Sequence, residues 1–516
     1  MSLDLNPQFK RALALMEEPE QHLFITGKAG TGKSTLLDYF CNKENEKPVV
    51  LAPTGVAALN VKGQTIHRFF NFYIDVTLDK IRNKDRRPRD PKLYKKLKTI
   101  IIDEVSMLRA DLLDYIDEFL RIYGPDSSKA FGGVKMIFVG DLYQLPPVVG
   151  KEEREIFRTH YATPYFFSAK ALESEPLEVI ELETVYRQKD EQFVSLLNKI
   201  RNNSVENEDI AELNQRYLPD EEMEKDEAFT ISLTTTNAKA DDINDNHLHA
   251  LTSKSHTNKA EVSGDFGKEY YPTATELQYK IGAQIMLLNN DQKKRWVNGS
   301  IGIIKSVNED SDGEEYLRVR LRDNDKLVSI YPYKWEVYKF SVDEGSIVSE
   351  PAGSFTQYPF RLAWAVTIHK SQGKTFERVV IDIGRGSFAS GQTYVGLSRC
   401  TSFEGIRLEV PIKKQHIHTD ARIYKFLTSH AYKKAAESLS FENKIRIIEQ
   451  AIKAKQKLEM TYLKANDTKS KSVIMPLTVG EEDYKGKKFP GMLAYCTNRE
   501  EECMFNVARI LELNSM

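Results

Sequence analysis

The chain is poor in cysteine and tryptophan and has almost no net charge. Its four cysteines, Cys41, Cys400, Cys496 and Cys503, are too scattered among 516 residues for a disulfide framework, and no CxxC pair offers zinc-knuckle spacing. The expectation is a reducing compartment. Seventy-three basic residues against 75 acidic ones leave −2 overall, so no global basic field exists and a polyanionic partner has to be held by local patches. No apolar run approaches the roughly 18 residues that cross a bilayer, and the opening MSLDLNPQFK lacks the basic-then-apolar order of a secretory signal. A cytoplasmic protein with no membrane partner is expected. What is present is 41% hydrophobic and 29% charged residues, enough for buried cores and too apolar for a disordered chain. At about 150 residues per domain the length implies three to four compact units.

Over the first 150 residues, short apolar runs (HLFIT, VVLAPT, TIIIDE, KMIFVGD) alternate with amphipathic stretches, each run ending in small or polar residues. This is the pattern of a parallel sheet with helices on both faces, whose ligands sit at the carboxyl ends of the strands. A second set, AFTISLTTTN, LAWAVTIH and RVVIDIG, begins at Ala228 and implies a second α/β unit. Between about Val262 and Pro351 the period shortens to strict alternation, as in Tyr316 to Arg322 after the turn Ser311-Asp312-Gly313, and predicts an all-β insertion built of hairpins. Lys80 to Lys98 holds ten basic residues against Asp85 and Asp90; a solvated loop and a nucleic-acid-facing patch both account for it. After Leu427 the chain becomes lysine- and alanine-rich and helical, with Ile445, Ile448 and Ile452 at helical spacing, then strand-like from Met460 to Leu513.

Gly27 to Ser34 fits G-x-x-x-x-G-K-[ST], follows LFIT and opens a helical stretch, the strand-loop-helix setting the motif requires. Glycines let backbone N–H groups close around phosphate oxygens, and the helix N-terminus adds a fixed positive dipole. Lys33 then reaches the β- and γ-phosphates and Ser34 holds Mg²⁺. A second buried run ends in Asp103-Glu104: Asp103 binds Mg²⁺ through water, and Glu104 orients and deprotonates the attacking water. Gln144, after the run ending at Val139, is placed to sense the γ-phosphate. Cations beyond Lys33 are needed for the transition state, and Arg187 (in VYRQ) and Arg399 (in YVGLSRC) are the candidates. The second unit has no phosphate loop of its own, so one nucleotide in the cleft between two α/β units is expected.

The ordered series GKAGTGKST, APTGVAA, QTIHRFF, IIDEVSML, VGDLYQLPPV, VYRQ, VTIHKSQGKTF and YVGLSRC resembles the motifs of superfamily-one DNA helicases, in the RecD-like branch that holds the PIF (petite integration frequency) helicases. The segment Asp103 to Tyr123 resembles the PIF signature, and the matches run from about Leu5 to Leu408. The resemblance implies two RecA-like P-loop cores with parallel sheets (1–175, and 176–261 with 352–427), a wedge near Gln64 to Val76, and an SH3-like insertion at 262–351. It implies ATP and Mg²⁺ as ligands, translocation 5′ to 3′ on single-stranded DNA, and unwinding of forked or tailed duplexes, with G-quadruplexes and RNA–DNA hybrids open as substrates. Carried over by motif, Gln8 reads adenine; Gly27, Ala29, Gly30, Thr31, Gly32, Lys33, Ser34 and Thr35 cradle the nucleotide, with Gly373 close by; Gln144, Arg187 and Arg399 surround the γ-phosphate.

If closure of two cores drives movement, each core must grip the strand separately, on its strand-end loops. In the first core these are Pro53, Thr54 and Gly55, with His67, Phe69 and Phe70 nearby; in the second, Thr235, Thr236, Asn237, Thr367, His369, Lys370 and Ser371. Hydroxyls, amides and backbone N–H groups bind phosphates without reading sequence, and aromatic or histidine rings stack on bases. Phe69 and Phe70 also suit a core, and His67 and His369 a helix start.

The tail, 428–516, resembles a helical linker and a WYL domain, a small β-barrel that binds nucleic acid or regulatory ligands, with Thr461 where that family carries its tryptophan. Tyr462, Lys464 and Arg509 are its contact candidates. A monomeric, nucleoid-associated protein is expected, and the position of Gly27 so near the start, with no room for a long organellar leader, points to a bacterial or phage origin. Two other readings stand beside the helicase: a nucleotide kinase or signalling NTPase, which leaves VTIHKSQGKTF unexplained, and a DNA-regulated ATPase switch that does not unwind.

Overall fold

The computed structural model describes residues 6–516 except 20, 44–47, 74–75, 86, 151–152, 174, 189, 218–228, 323–324, 344–345, 385–388 and 485–486. Ala228, two wedge residues (74 and 75) and Arg86 of the basic stretch therefore lie outside the described residues. The chain divides into two compact units, Met1–Asn198 with Val205–His418, and Lys199–Ser204 with Thr419–Met516.

The first unit contains two parallel sheets. The first has six strands, β1 (His22–Gly27), β2 (Val49–Ala52), β3 (Gln64–Thr65), β4 (Thr99–Ile102), β5 (Lys135–Val139) and β6 (Leu177–Leu182), in the order β3-β2-β4-β5-β1-β6. Every residue of β1, β2 and β5 is buried, which is why these strands read as unbroken apolar runs. Strands β4, β5 and β1 are neighbours, so the acidic pair, Gln144 and the phosphate loop leave the sheet side by side. The second sheet has β7 (Ile231–Thr234), β8 (Ala365–Thr367), β9 (Val379–Asp382) and β10 (Ile406–Leu408), in the order β8-β7-β9-β10.

Chain boundaries differ from the sequence reading. The first sheet extends past 175, because β6 pairs with β1 from His22↔Leu177 to Gly27↔Leu182. The antiparallel insertion begins at Ser255–Lys259, paired with Glu276–Lys280, and runs to Phe360–Leu362, the edge of a five-stranded sheet. The Tyr316 alternation falls on the strand Glu315–Leu321, with Leu317, Val319 and Leu321 buried.

The helix Pro7–Glu17 starts on Asn6, whose side chain accepts the Phe9 N–H, and buries Phe9, Ala12, Leu13 and Met16 against the sheet. Its last carbonyls are satisfied by the Lys135 ammonium, which donates to Leu15 O at 2.7 Å and Met16 O at 3.0 Å. The acids of the PIF-like segment are braces: on the helix Ala110–Tyr123, Asp111 pairs with Arg109, Asp114 accepts from Tyr161 and the Ala171 N–H, and Asp117 holds the Phe131 N–H. The basic stretch is partly tied down as well, since Arg82 forks onto Glu118 and Lys95 donates to Gly124 O.

The second unit is a five-stranded antiparallel sheet ordered Glu501–Asn506, Lys487–Cys496, Lys469–Tyr484, Leu458–Leu463, Ile510–Ser515, with the helices Ala421–Ser438 and Phe441–Ala454. Ile448 and Ala451 join Met460, Ile474 and Met492 in its core. Tyr462 is buried and its hydroxyl accepts the Asn506 N–H at 3.3 Å, whereas Lys464 is exposed and Arg509 half-buried.

Candidate functional site

A cavity of about 580 Å³ opens at the carboxyl ends of β1, β4 and β5. It is lined by the phosphate loop, Ala29 to Thr35, by Asp103, Glu104 and Gln144, and by Arg187, Gly373, Thr375 and Arg399. The loop depends on two glycines at positive φ, Gly30 at +82° and Gly32 at +85°. A Cβ on Gly30 would stand 2.5 Å from that of Arg187, and Tyr186 N–H donates to Gly30 O at 2.9 Å, so the VYRQ segment lies directly on the loop. The Lys33 ammonium donates to Gly27 O at 2.7 Å and Lys28 O at 3.0 Å, and the Thr31 hydroxyl to Lys28 O.

Electrostatics in the cavity are strained. Desolvation first, then the neighbouring Glu104, push the Asp103 carboxyl well above the usual carboxylate range; Lys33 opposes the shift. Glu104 is raised by desolvation too, against Lys33, a hydrogen bond from Gln372 and Arg399. Burial works against the charge of both arginines, and Arg187 adds to the effect at Arg399. Among the described residues neither guanidinium is in an ion pair. Arg399 is held by Val395 O, Lys374 O and Ser398 Oγ, and Arg187 by Ser398 O. Two acids and three cations thus converge on one space of nucleotide size.

The strand-end loops come together in pairs. Thr54 and His67 follow the adjacent strands β2 and β3, and Thr235 to Asn237 lies beside the turn after β8, because β7 and β8 pair through Thr234↔Thr367. Thr54 and Thr236 cap helices, and Thr236, Asn237, His369 and Lys370 are exposed.

A family model described as PIF1-like helicase matches residues 8–211. The ATP-dependent DNA helicase Pif1 of Bdellovibrio bacteriovorus is 31% identical over 417 residues, covering 79% of this chain and 88% of its own. The chain belongs to the PIF1-like helicase family. The mouse ATP-dependent DNA helicase PIF1 is 32% identical over 431 residues, 82% of this chain, and the chain spans 62% of that relative's length. The structure of Bacteroides sp Pif1 in complex with ADP-AlF4 matches with a TM-score of 0.74 at 32% identity, over 84% of this chain and 97% of that one. Bacteroides Pif1 bound to ssDNA matches at 0.59, with 34% identity over 83% and 97%.

Within this PIF1-like chain several motif-derived assignments need correction. Phe69 is not a surface platform: it is 6% exposed, with the rings of Phe70, Tyr94 and Phe340 at 4.9, 5.2 and 5.9 Å, and a ring enclosed in this way cannot receive a base. Phe70 is fully buried. Ser371 and Thr367 are buried, the Ser371 hydroxyl donating to Ile368 O at 2.7 Å and Thr367 Oγ1 accepting the Lys370 N–H, so both shape the turn rather than face a ligand. Gly55 packs flush against the backbone of Glu269. Gln8 does not line the cavity; its amide donates to Glu183 Oε2 and accepts the Glu183 N–H, each at 3.0 Å.

Four contributors were not singled out from the sequence. Phe9, from the buried face of its helix, and the more exposed Tyr186 line the cavity beside Gly32. Tyr394 reaches from the second core to the loop, and Gln372 reaches Glu104. The nearest available hint was the placement of Tyr394 and Gln372 inside YVGLSRC and VTIHKSQGKTF.

Proposed function

We propose that this chain is an ATP-dependent DNA helicase that moves 5′ to 3′ on single-stranded DNA and unwinds tailed or forked duplexes. The observation that carries the reading is the single cavity in which Lys33, Asp103, Glu104 and Gln144 of one core face Arg187 and Arg399. Such a site completes itself only when the two cores close, and opening and closing two separately gripping cores is movement along a strand. Pif1 of Bacteroides, which has been captured with ADP-AlF4 and with ssDNA, supports both ligand classes.

In this reading the loop N–H groups and Lys33 hold the β- and γ-phosphates, and Phe9 and Tyr186 flank the base. Glu104 takes the proton of the water whose oxygen bonds the γ-phosphorus as the bond to the bridging oxygen breaks and ADP leaves. Arg187 and Arg399 neutralise the charge on the transferring group. The donor set fits a divalent cation: the Ser34 hydroxyl and the Asp103 carboxylate are hard oxygen ligands, few enough to leave room for water and phosphate, and desolvation of Asp103 favours a positive partner. Mg²⁺ bound there would neutralise phosphate charge. Exposed Thr236, Asn237, His369 and Lys370 hold the strand without reading its sequence.

The antiparallel insertion is read as an SH3-like module and the second unit, five antiparallel strands packed on the apolar face of an amphipathic helix, as a WYL-type accessory that tunes DNA grip or coupling. Strand displacement on duplexes with a 5′ or a 3′ tail tests the whole reading. Displacement confined to the 5′-tailed duplex is expected; ATP hydrolysis without displacement of either would leave a DNA-regulated switch.

A further inference from the structure

The turn that follows β8 has two working faces. Ser371 N–H bonds to Thr367 O at 3.0 Å, Gln372 N–H to His369 O at 3.2 Å and Lys374 N–H to Ser371 O at 3.0 Å, so residues 367–374 form one internally bonded turn. His369 and Lys370 are exposed on one side. On the other, the Gln372 amide donates to Glu104 Oε2 at 2.9 Å, across 268 residues of sequence.

That bond is made to the carboxylate assigned to accept the proton of the attacking water. A donor seated on Oε2 occupies one of the carboxylate's lone-pair directions, makes the carboxylate a weaker acceptor of the water proton and fixes the direction in which it faces. We propose that Gln372 is a positioning residue that restrains Glu104 in the DNA-free protein, and that a strand seated on His369 and Lys370 shifts the turn and withdraws the restraint. The inference rests on the helicase reading above and adds to it a device that suppresses idle hydrolysis. A static brace or a direct contact to the γ-phosphate makes different predictions, which separates the three.

The test uses the full chain and measures ATP turnover with and without oligo(dT), in the wild type, in Gln372→Ala and in Gln372→Glu, which sets a like charge against Glu104. Binding of fluorescent ADP and of labelled oligo(dT) confirms that both variants are folded. Loss of one charge-assisted hydrogen bond is expected to raise the DNA-free rate about tenfold while the DNA-stimulated rate stays within about threefold, so the stimulation ratio collapses. Placing Glu104→Gln in the same chain should abolish the gain. A DNA-free rate that stays at the wild-type value in both variants overturns the restraint, and so does an equal fall of both rates, which would make Gln372 a contact of the reaction itself. A wild type whose turnover ignores DNA takes down the helicase reading as well, an outcome visible before any variant is made.

Discussion

The hydroxyl of Tyr394 accepts the backbone N–H of Ala29 at 3.2 Å and donates to Asp141 Oδ2 at 3.4 Å, so one side chain of the second core ties the phosphate loop of the first to the strand end that carries Gln144. The bond is buried and links residues 365 apart. Tyr394→Phe keeps the ring and removes a hydroxyl worth about 1 kcal/mol. KM for ATP should then rise about fivefold with kcat changed less than about twofold, since the loop is loosened equally for substrate and transition state. Steady-state kinetics decide it, and an unchanged KM would show the bond to be incidental.

Arg187 is half-buried and Arg399 fully buried, neither makes an ion pair among the described residues, and in the proposed reaction the transferring phosphoryl group supplies a negative partner. Arg187→Ala should lower kcat by about a thousandfold, in the range of arginines that act on phosphoryl transfer. Binding of fluorescent ADP should change only a few-fold, because ADP lacks the group the arginine meets. Lys33→Ala should lose both turnover and nucleotide affinity, while oligo(dT) affinity survives in either variant. Loss of DNA binding in both, with folding intact, would mean that the two sites are not separate.

His22 couples stability to acid. Its Nδ1 accepts the Met136 N–H at 3.1 Å, which requires neutral imidazole, and burial, then the charge of Lys135, pushes its pKa down to about 4. The folded value lies below the unfolded one, so the unfolded chain binds the extra proton and stability falls as pH drops from 6.5 toward 4. The shift corresponds to roughly 3 kcal/mol. In His22→Asn the side-chain oxygen can keep the bond without titrating, so its melting temperature should decline less over that window. Parallel profiles would remove His22 from the acid response.

The buried strands and the phosphate loop were legible because each is written locally: buried strands read as apolar runs, and phosphate binding imposes glycine and lysine at fixed spacing. Asp103, Gln144, Arg187 and Arg399 could be named from their motifs, and the fold brings them to one cavity. Direction of a side chain is not local. Nothing in QTIHRFF says that Phe69 turns inward to Tyr94 and Phe340, nor in VTIHKSQGKTF that Ser371 turns in while Lys370 turns out. The Gln372 to Glu104 and Tyr394 to Ala29 bonds depend on how the two cores meet, and no window of sequence contains both partners. Boundaries at 175 and 262 failed for a related reason, since only pairing assigns Leu177–Leu182 and Ser255–Lys259 to their sheets.

The contrast between Lys370 and Phe69 tests the DNA track itself. Lys370 is exposed on the turn after β8, and a single phosphate contact by a lysine contributes about 0.7 to the slope of log affinity against log salt on single strands. Lys370→Ala should therefore weaken oligo(dT) binding, flatten that slope by about this amount and leave the melting temperature near the wild-type value. Phe69 sits in an aromatic core, so Phe69→Ala should cost about 3–5 kcal/mol of stability. The milder Phe69→Leu should lower the melting temperature yet bind oligo(dT) as the wild type does at every salt concentration. If Phe69→Leu instead weakens DNA binding with no change in melting temperature, the ring works at the surface after all, and the first core grips its strand through an aromatic face rather than through the Thr54 and His67 loops.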